Sequence, residues 1–449
     1  MTIVNAHRHA ALVEHSRQLI KDLQDPGGAY PASSDFSAYQ GYCWFRDGSF
    51  IADGMSAAGE VASASAFFDW CAGVLEANRE RVCQVTAAAR AGQPLPDQAM
   101  LPARFQFDGR PGQDDWWDFQ LDGYGAWLWA VVAHADRHRL DLARWGEAVG
   151  LTVDYLASSW ERPCYDWWEE HDDKVHISTL GCVLAGLKAA AGRAVVAGER
   201  AERAQAAAQA VEAVIRRQGT ADGHLVKWIG SRELDGSLSA LLAPLAVVDP
   251  NSELGRGTVA ALEDQLLVEG GVYRFRADTF FGGGRWPLLT CFLGLARQAQ
   301  GNRQGALACL DWAGGTATPS GDLPEQVDGG LLLDRSWKQP WVDRWGPVAT
   351  PLLWSHAMYL RLAAALDLVS AADQPEPVSP RPPAPSGPPQ SAAMDAAPGR
   401  SLMGRGGAMA VPGSSSGVAD TAAAGGGTGS GRSDQTAPSD RTAGTEAES

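Results

Sequence analysis

Residues 164–170 read Cys164-Tyr165-Asp166-Trp167-Trp168-Glu169-Glu170 and stand just before an apolar helical pattern. The stretch sets adjacent carboxylates among three large aromatic rings. Such rings desolvate the charged form of a carboxylate, raise its pKa and let it hold a proton near neutral pH, as a general acid must. The alternative is structural: the rings belong to the core and the acids favour the dipole of the following helix. The rest of the chain has to decide between these interpretations.

Working outward, the apolar spacing of residues 1–372 predicts an all-α protein of twelve helices with few strands. The predicted helices span about 6–24, 46–59, 62–86, 121–139, 141–160, 175–193, 197–218, 236–247, 256–267, 288–301, 304–315 and 349–369. Twelve helices can close as six hairpins around an axis, which is an (α/α)6 barrel. An irregular bundle or a solenoid is the alternative, although no sequence repeat supports a solenoid.

Distinctive polar and aromatic clusters precede every second predicted helix, and they favour the barrel. The clusters are Tyr42 to Asp47, Trp116 to Asp122, residues 164–170, Lys227-Trp228 with Arg232 to Asp235, Tyr273 to Trp286, and Leu323 to Gln326. In an up-and-down barrel, alternate loops share one end. Because function concentrates on loops that a rigid scaffold holds, six such loops on one rim predict a single site.

Composition limits the partners. The formal charge of −16 argues against nucleic acid and against an anionic membrane surface. The 17 Trp outnumber the 12 Phe and 8 Tyr, and aromatic rings on loops suit the flat apolar faces of sugars. The seven Cys are scattered without paired spacing, which fits neither a disulfide framework nor a zinc site. A neutral small-molecule substrate is therefore expected.

The two ends of the chain carry further expectations. From about Gln374 onward Pro, Ala, Gly, Ser and Thr dominate, so residues 373–449 are predicted to be a disordered tail, and nothing in it identifies a partner. Residues 1–372 would then form the catalytic barrel. The N-terminus lacks a signal peptide, and no apolar run reaches the ~18 residues of a membrane span. A cytoplasmic protein is expected.

Glu169 and Glu325 belong to the third and sixth of the decorated loops, in opposite halves of the chain. Across the mouth of the predicted barrel they would be able to face each other with a small ligand between them. One protonated and one ionised carboxylate is the usual equipment for glycoside hydrolysis. A gap of roughly 6.5–9.5 Å leaves room for a water and gives inversion, while ~5 Å implies retention. The sequence alone does not fix the gap.

The neighbouring loops supply groups that suit a sugar. Arg46-Asp47 and the pair Gln120 and Asp122 offer donors and acceptors for ring hydroxyls, the alternative being an Arg–Asp ion pair at a helix start. Rings that would form apolar walls are Trp44, Trp116, Trp168, Trp228 and Trp286.

A metal or cofactor is not expected. His171 and His176 lie near Glu169, but their spacing matches no standard metal signature, and a solvated surface is the better interpretation. The chain also shows no P-loop, no nucleophile elbow and no glycine-rich loop after a strand.

Taken in order, these motifs resemble those of glycoside hydrolase family 15, the glucoamylase family, over about residues 30–365. The matching segments are Trp44 to Asp47, Gln120 to Gly125, Asp166 to Glu170, Arg274 to Trp286, Glu325-Gln326 and Pro351 to Ala357. The resemblance implies an (α/α)6 barrel and an inverting, exo-acting hydrolase that releases β-glucose from α-glucosides without a metal. It also implies roles: Glu169 is the general acid, Glu325 is the general base, and Arg46, Asp47, Glu170 and Arg274 bind the sugar.

Two departures from the family pattern matter. Many bacterial members carry an N-terminal β-sandwich domain, whereas the first predicted helix here begins almost at once. A Tyr often stands four residues before the Trp of the first motif and helps to place the water; here that position is Gln40, with Tyr39 and Tyr42 close by. Without a sandwich, a starch-binding domain or an export signal, short intracellular oligosaccharides are expected, as in single-domain isomaltose-cleaving members.

Two further functions remain open from sequence. A trehalase-type specificity on the same scaffold would share these motifs. A catalytically inactive sugar-binding barrel is disfavoured because both glutamates are present. Isomaltose-type α-1,6 links are favoured over α-1,4 links as the substrate.

Overall fold

The structure is a computed structural model that describes residues 3–112 and 119–369. The predicted tail at 373–449 and the predicted site residue Trp116 both lie outside these residues.

The described residues are mostly helical. The α-helices are α1 Ile3–Leu23, α2 Phe45–Ala57, α3 Val61–Ala77, α4 Arg79–Arg90, α5 Asp122–His138, α6 Gly146–Ser159, α7 Ile177–Ala191, α8 Glu199–Gln218, α9 Glu253–Gln265, α10 Pro287–Ala299, α11 Arg303–Gly315, α12 Lys338–Trp345 and α13 Leu353–Ala365. Short 3-10 helices are Asp97–Ala99, Leu142–Trp145, Gly236–Leu241, Phe280–Gly282 and Arg335–Trp337.

Short antiparallel strands decorate the loops. They are β1 Tyr42–Trp44, β2 Arg104–Gln106, β3 Thr220–Ala221, β4 His224–Leu225, β5 Leu267–Val268, β6 Gly271–Tyr273 and β7 Arg285–Trp286. Strand β1 pairs with β2, and Trp44 lies opposite Arg104. Strand β6 lies between β5 and β7. These ladders fix the two segments that lead into α2 and α10.

Six elements form a closed inner ring. In order around the ring they are α2, α5, α7, the 3-10 helix Gly236–Leu241, α10 and α13, which returns to α2. An outer layer of α1, α3, α6, α8, α9 and α11 packs around them. This arrangement confirms the predicted (α/α)6 barrel. The described parts of the six decorated loops lie at the N-terminal ends of the six inner elements.

Aromatic side chains fill the barrel axis below those loops. The Phe50 ring of α2 stacks on Trp354 of α13 with centroids 5.4 Å apart. It also contacts Phe292 of α10 at 5.2 Å and Trp167 of the 164–170 loop at 5.4 Å. Rings from α2, α10, α13 and the 164–170 loop therefore form one packed aromatic cluster beneath the decorated loops.

Three helix predictions needed correction, and one helix was missed. The helix predicted at 62–86 breaks at Asn78, whose side-chain amide donates to the Val74 carbonyl at 2.8 Å and competes with the backbone pattern. The helix predicted at 236–247 is a 3-10 helix that ends at Leu241, because Pro244 lacks an N–H and restricts the residue before it. The last helix begins at Leu353 rather than near 349, and α12 was not predicted at all.

Candidate active site

The loop of residues 164–170, here the Glu169 loop, is folded by its first carboxylate. The Asp166 side chain accepts the backbone N–H groups of Trp168 and Glu170, each at 2.9 Å. The backbone closes on itself as well, since the Glu169 N–H donates to the Asp166 carbonyl at 3.1 Å. Glu169 has a left-handed φ of 62°, which is uncommon for a residue with a side chain and recurs at functional sites.

The Glu169 carboxylate is held by the loop before α2. The indole N–H of Trp44 donates to Glu169 Oε1 at 2.5 Å, and Arg46 Nη2 lies 4.0 Å from the same oxygen. About 15% of the Glu169 side chain is exposed. A carboxyl group held in this way is oriented but still accessible, as a proton donor to a ligand must be.

Glu325 lies deeper and is held from a different direction. Its side chain is 3% exposed, and its Oε1 accepts the Tyr39 hydroxyl at 3.0 Å. The Tyr39 and Trp44 rings meet edge to face with centroids 5.5 Å apart. One pair of touching rings therefore connects the two carboxylates that the sequence places in opposite halves of the chain.

Burial changes the acidity of Glu325. Loss of hydration raises its pKa to about 8, against the lowering effects of the Tyr39 hydroxyl and the Arg274 charge. Its second oxygen, Oε2, is buried and accepts no hydrogen bond from the described residues. An oxygen of this kind has a lone pair ready for a proton or a water.

Arg46 organises a second group of acids beside Glu169. Its Nη1 donates to Gln120 Oε1 at 2.7 Å and lies 3.5 Å from Asp122, and its Nη2 lies 3.3 Å from Asp47. Gln120 in turn donates to the Asp166 carbonyl at 2.9 Å, which joins three loops. Burial raises the pKa of both Asp47 and Asp122 to about 6, although the Arg46 charge opposes it.

Glu170 faces a separate arginine. Arg274 Nη2 lies 3.3 Å from Glu170 Oε1, while the same guanidinium forms a two-contact ion pair with Asp278. Burial raises the pKa of Glu170 to about 7, and the Arg274 charge opposes the shift. The Arg274 guanidinium also lies about 5 Å from several ring centroids. Those rings are Trp168, Phe275, Phe280 and Trp286.

A buried lysine contacts the Glu169 loop through Asp166. Lys227 Nζ lies 3.2 Å from Asp235 and 3.5 Å from Asp166, and all three side chains are at most 3% exposed. Asp235 accepts the Trp168 indole N–H at 2.9 Å. From sequence, Lys227 belongs to a rim loop but has no assigned role. The sequence feature that could have indicated a buried Lys227 is its place as the single charged residue in an apolar stretch.

Two tryptophans of the predicted walls pack against other rings. Trp286 is buried and packs on Trp168 with centroids 5.4 Å apart. Trp228 packs on the rings of His171 and His176. His176 Nε2 bonds to the His171 carbonyl at 2.9 Å.

The position that departs from the family pattern is also resolved. Gln40 is exposed and bonds to the Ser34 carbonyl at 3.1 Å, while the neighbouring Tyr39 reaches the glutamate. The tyrosine that contacts Glu325 therefore stands one residue before the position at which the family pattern has its tyrosine.

Comparison with known proteins places this chain in a family. The model for glycosyl hydrolases family 15 matches residues 6–313. An isomaltose glucohydrolase from Kribbella flavida is 50% identical over 376 residues, which cover 83% of this chain and 97% of that protein. An uncharacterized glycosyl hydrolase from Methanocaldococcus jannaschii is 26% identical over 60% of this chain and 42% of its own length.

Solved structures agree. A wild-type glycosidase superposes with a TM-score of 0.80 at 49% identity, over 82% of this chain and all of that one, and a variant in complex with glucose gives the same values. A bacterial glucoamylase complexed with acarbose, at 20% identity and a TM-score of 0.59, shares the fold over 80% of this chain and 55% of its own. The resemblance in the motifs is confirmed: this chain belongs to glycosyl hydrolases family 15 and is a glycoside hydrolase.

Proposed function

We propose that the protein hydrolyses short α-gluco-oligosaccharides from the non-reducing end with inversion, releasing β-glucose, and that α-1,6 links of the isomaltose type are favoured. One observation carries this proposal: Glu169 and Glu325 are hydrogen-bonded to two rings, Trp44 and Tyr39, that touch each other. The relative named an isomaltose glucohydrolase, at 50% identity over nearly its whole length, supports the substrate class.

In this proposal the two glutamates take opposite roles. Glu169 donates its proton to the glycosidic oxygen as the bond to C1 breaks. A water attacks C1 from the other face and gives its proton to Glu325, so the configuration at C1 inverts. The exposed fractions suit these roles, because Glu169 is reachable by a leaving group and Glu325 is enclosed with a lone pair unused by described residues.

The surrounding side chains would bind the glucose unit. Charged and amide groups provide hydrogen bonds to its hydroxyls, and rings cover its apolar faces. The proposed ligands are Arg46, Asp47, Gln120, Asp122, Glu170 and Arg274, with Trp44, Trp168 and Trp286 as walls. Trp116 remains a proposed wall residue from sequence. No metal or cofactor is needed for this chemistry.

Two isosteric substitutions test the assignment. Glu169→Gln and Glu325→Gln should each lower kcat on isomaltose by roughly 10²–10⁴-fold, or about 3–5 kcal/mol of barrier, with little loss of substrate binding. Glu170→Gln is the matched control, since it alters a neighbouring carboxylate that we place on the sugar and should chiefly raise KM. Wild-type turnover in either of the first two variants refutes the acid and base roles.

Substrate choice needs its own measurement. Initial rates on isomaltose, maltose and trehalose, taken on the same enzyme preparation, should rank isomaltose first. A preference for trehalose would keep the site and overturn the proposed linkage.

A further inference from the structure

His356 lies in the first turn of α13 and is fully buried. Both of its ring nitrogens have partners. The backbone N–H of Leu323 donates to Nε2 at 2.8 Å, and Nδ1 lies 2.8 Å from the Ser16 hydroxyl on α1. Because a backbone N–H can only donate, Nε2 is the acceptor. The neutral ring therefore carries its proton on Nδ1 and donates it to Ser16.

The segment that receives this contact leads directly to Glu325. Pro324 has no N–H, so Leu323 holds the nearest amide donor before Glu325 itself. The beginning of α13 takes the other backbone groups. Leu352 N–H donates to the Leu323 carbonyl at 2.9 Å, and the Ser355 hydroxyl donates to the Pro324 carbonyl at 2.8 Å. Further along, the Glu325 N–H donates to the Ala349 carbonyl at 2.9 Å.

We propose that His356 is a positioning residue for Glu325, fixing the Leu323–Glu325 backbone so that the carboxylate meets the Tyr39 hydroxyl. The inference rests on the proposed role of Glu325 as general base. A side chain on a helix is a firmer anchor than the loop it holds. Displacement of a reacting group by about 1 Å can cost on the order of 10²-fold in rate.

The groups around His356 fit a neutral structural ring. Burial, with help from nearby His15, lowers the pKa of His356 to about 3, although Asp322 opposes the shift. His15 bonds to Asp322 at 3.0 Å, and its ring lies 5.7 Å from that of His356. These three side chains are close enough to suggest a cation site. A metal at His356 would first have to displace Leu323 or Ser16 from a nitrogen.

Three substitutions separate the two hydrogen bonds of the ring. In His356→Gln the amide oxygen falls near the place of Nε2 and can still accept the Leu323 N–H. In His356→Asn the amide lies near the place of Nδ1, which keeps the Ser16 side and loses Leu323. Ser16→Ala loses only the Ser16 side and is the matched control.

The readouts are kcat and KM on isomaltose, with the pH profile of kcat/KM, measured well below each unfolding temperature. His356→Asn should lower kcat on the order of 10²-fold with KM within about twofold. Its acidic limb should move to higher pH, because Glu325 loses a hydrogen bond that favours its ionised form. His356→Gln should recover most of the loss, and Ser16→Ala should keep wild-type kcat while lowering only thermal stability.

Two results separate this inference from the proposed function. If His356→Asn and His356→Gln both keep wild-type kcat and pH profile while Glu325→Gln is inactive, the positioning role is wrong and the base assignment stands. If Ser16→Ala lowers kcat as much as His356→Asn does, the effect is not specific to the Leu323 hydrogen bond, and the His356 ring only fills space in the core. Full activity in Glu325→Gln would instead remove the proposed function on which the inference depends.

Discussion

In the proposed mechanism Glu325 must be ionised to accept a proton from water, yet this residue is buried. Burial raises its pKa, and the Tyr39 hydroxyl and the Arg274 charge lower it again. The balance leaves Glu325 with a pKa above the ordinary range of a glutamic acid. Because the proposed base is active only when ionised, kcat/KM should rise with pH through this pKa. The midpoint of the acidic limb of the pH profile is therefore expected above the usual pKa of a glutamic acid and at or below about pH 8.

Tyr39→Phe tests that balance directly. The substitution removes the 3.0 Å hydrogen bond to Glu325 Oε1 and keeps the ring. The pKa of Glu325 should then rise, and the acidic limb of kcat/KM should move to higher pH with a lower kcat. The measurement is a pH series of initial rates on isomaltose. Tyr42→Phe changes a nearby tyrosine whose ring lies under Arg104, and it should leave the limb in place. An unshifted limb in Tyr39→Phe counts against the Tyr39–Glu325 contact.

Removal of the buried Lys227 ammonium should lower the stability of the protein. Lys227→Met leaves Asp166 and Asp235 buried without their cation, and breaking a buried ion pair typically costs about 3–5 kcal/mol. The free energy of unfolding in denaturant measures the loss. Lys188→Met is the matched control, since the Lys188 side chain is 43% exposed in its ion pair with Glu212 and its loss should cost at most about 1 kcal/mol. If both variants lose the same free energy of unfolding, the buried ion pairs of Lys227 with Asp166 and Asp235 contribute no more stability than an exposed ion pair.

At the scale of elements, sequence predicts what periodicity marks and misses what only tertiary contact creates. The inner helices α5, α7 and α10 have continuous apolar faces, so their spacing identified them. The break at Asn78 and the 3-10 helix before Pro244 depend on single residues that pattern counting averages away. Strands of two or three residues are too short to show an alternating pattern.

The candidate site shows the same difference between what a local sequence pattern predicts and what only tertiary contacts create. Glu169 and Glu325 could be proposed as the catalytic pair from sequence because their loops precede alternate helices and their motifs match the family in order. The contact of Tyr39 with Glu325 and the packing of Lys227 between two aspartates join residues that are distant in sequence. No local pattern specifies either one.

Ser252 offers a test of one outer element. Its hydroxyl accepts the Gly255 N–H at 3.0 Å and caps α9. Ser252→Ala should lower the free energy of unfolding by about 1 kcal/mol and leave kcat unchanged, since α9 belongs to the outer layer. Ser252→Asp supplies another capping oxygen and should keep the stability. A change in kcat that accompanies the loss of the cap would connect α9 to the site and contradict its place in the outer layer.

For the whole molecule, closure of the inner ring depends on close contact between α5 and α7. A Cβ added at Gly125 would lie 2.5–2.6 Å from the backbone of Cys182 and Val183, which cannot rotate away. Gly125→Ala should therefore separate the two helices and lower the free energy of unfolding by about 1–3 kcal/mol. It should also reduce kcat, because the Glu169 loop leads into α7. The measurements are denaturant unfolding and initial rates.

Gly73→Ala is the control for that substitution. Gly73 lies exposed within α3, and a Cβ there meets nothing within 4 Å of the described residues. Alanine should stabilise the protein by roughly 0.5–1 kcal/mol at unchanged kcat. If Gly125→Ala behaves in the same way, the close approach of α5 and α7 does not limit the fold.

We also propose that residues 1–372 suffice for catalysis. Apart from Trp116, every proposed site residue lies within the described residues 3–112 and 119–369. A chain ending at residue 372 should keep kcat and KM on isomaltose within about twofold, as expected when no removed group supports the site. Loss of turnover in a folded, truncated protein would assign the tail a part in the site.

The anomer that the wild-type enzyme forms first distinguishes inversion from retention. Proton NMR of the earliest product from isomaltose reports the configuration at C1 before mutarotation. If Glu169 gives the proton to the leaving oxygen and Glu325 activates a water on the opposite face, the first new signal is β-glucose. Initial release of α-glucose would contradict these roles, because the two carboxylates would then act by retention.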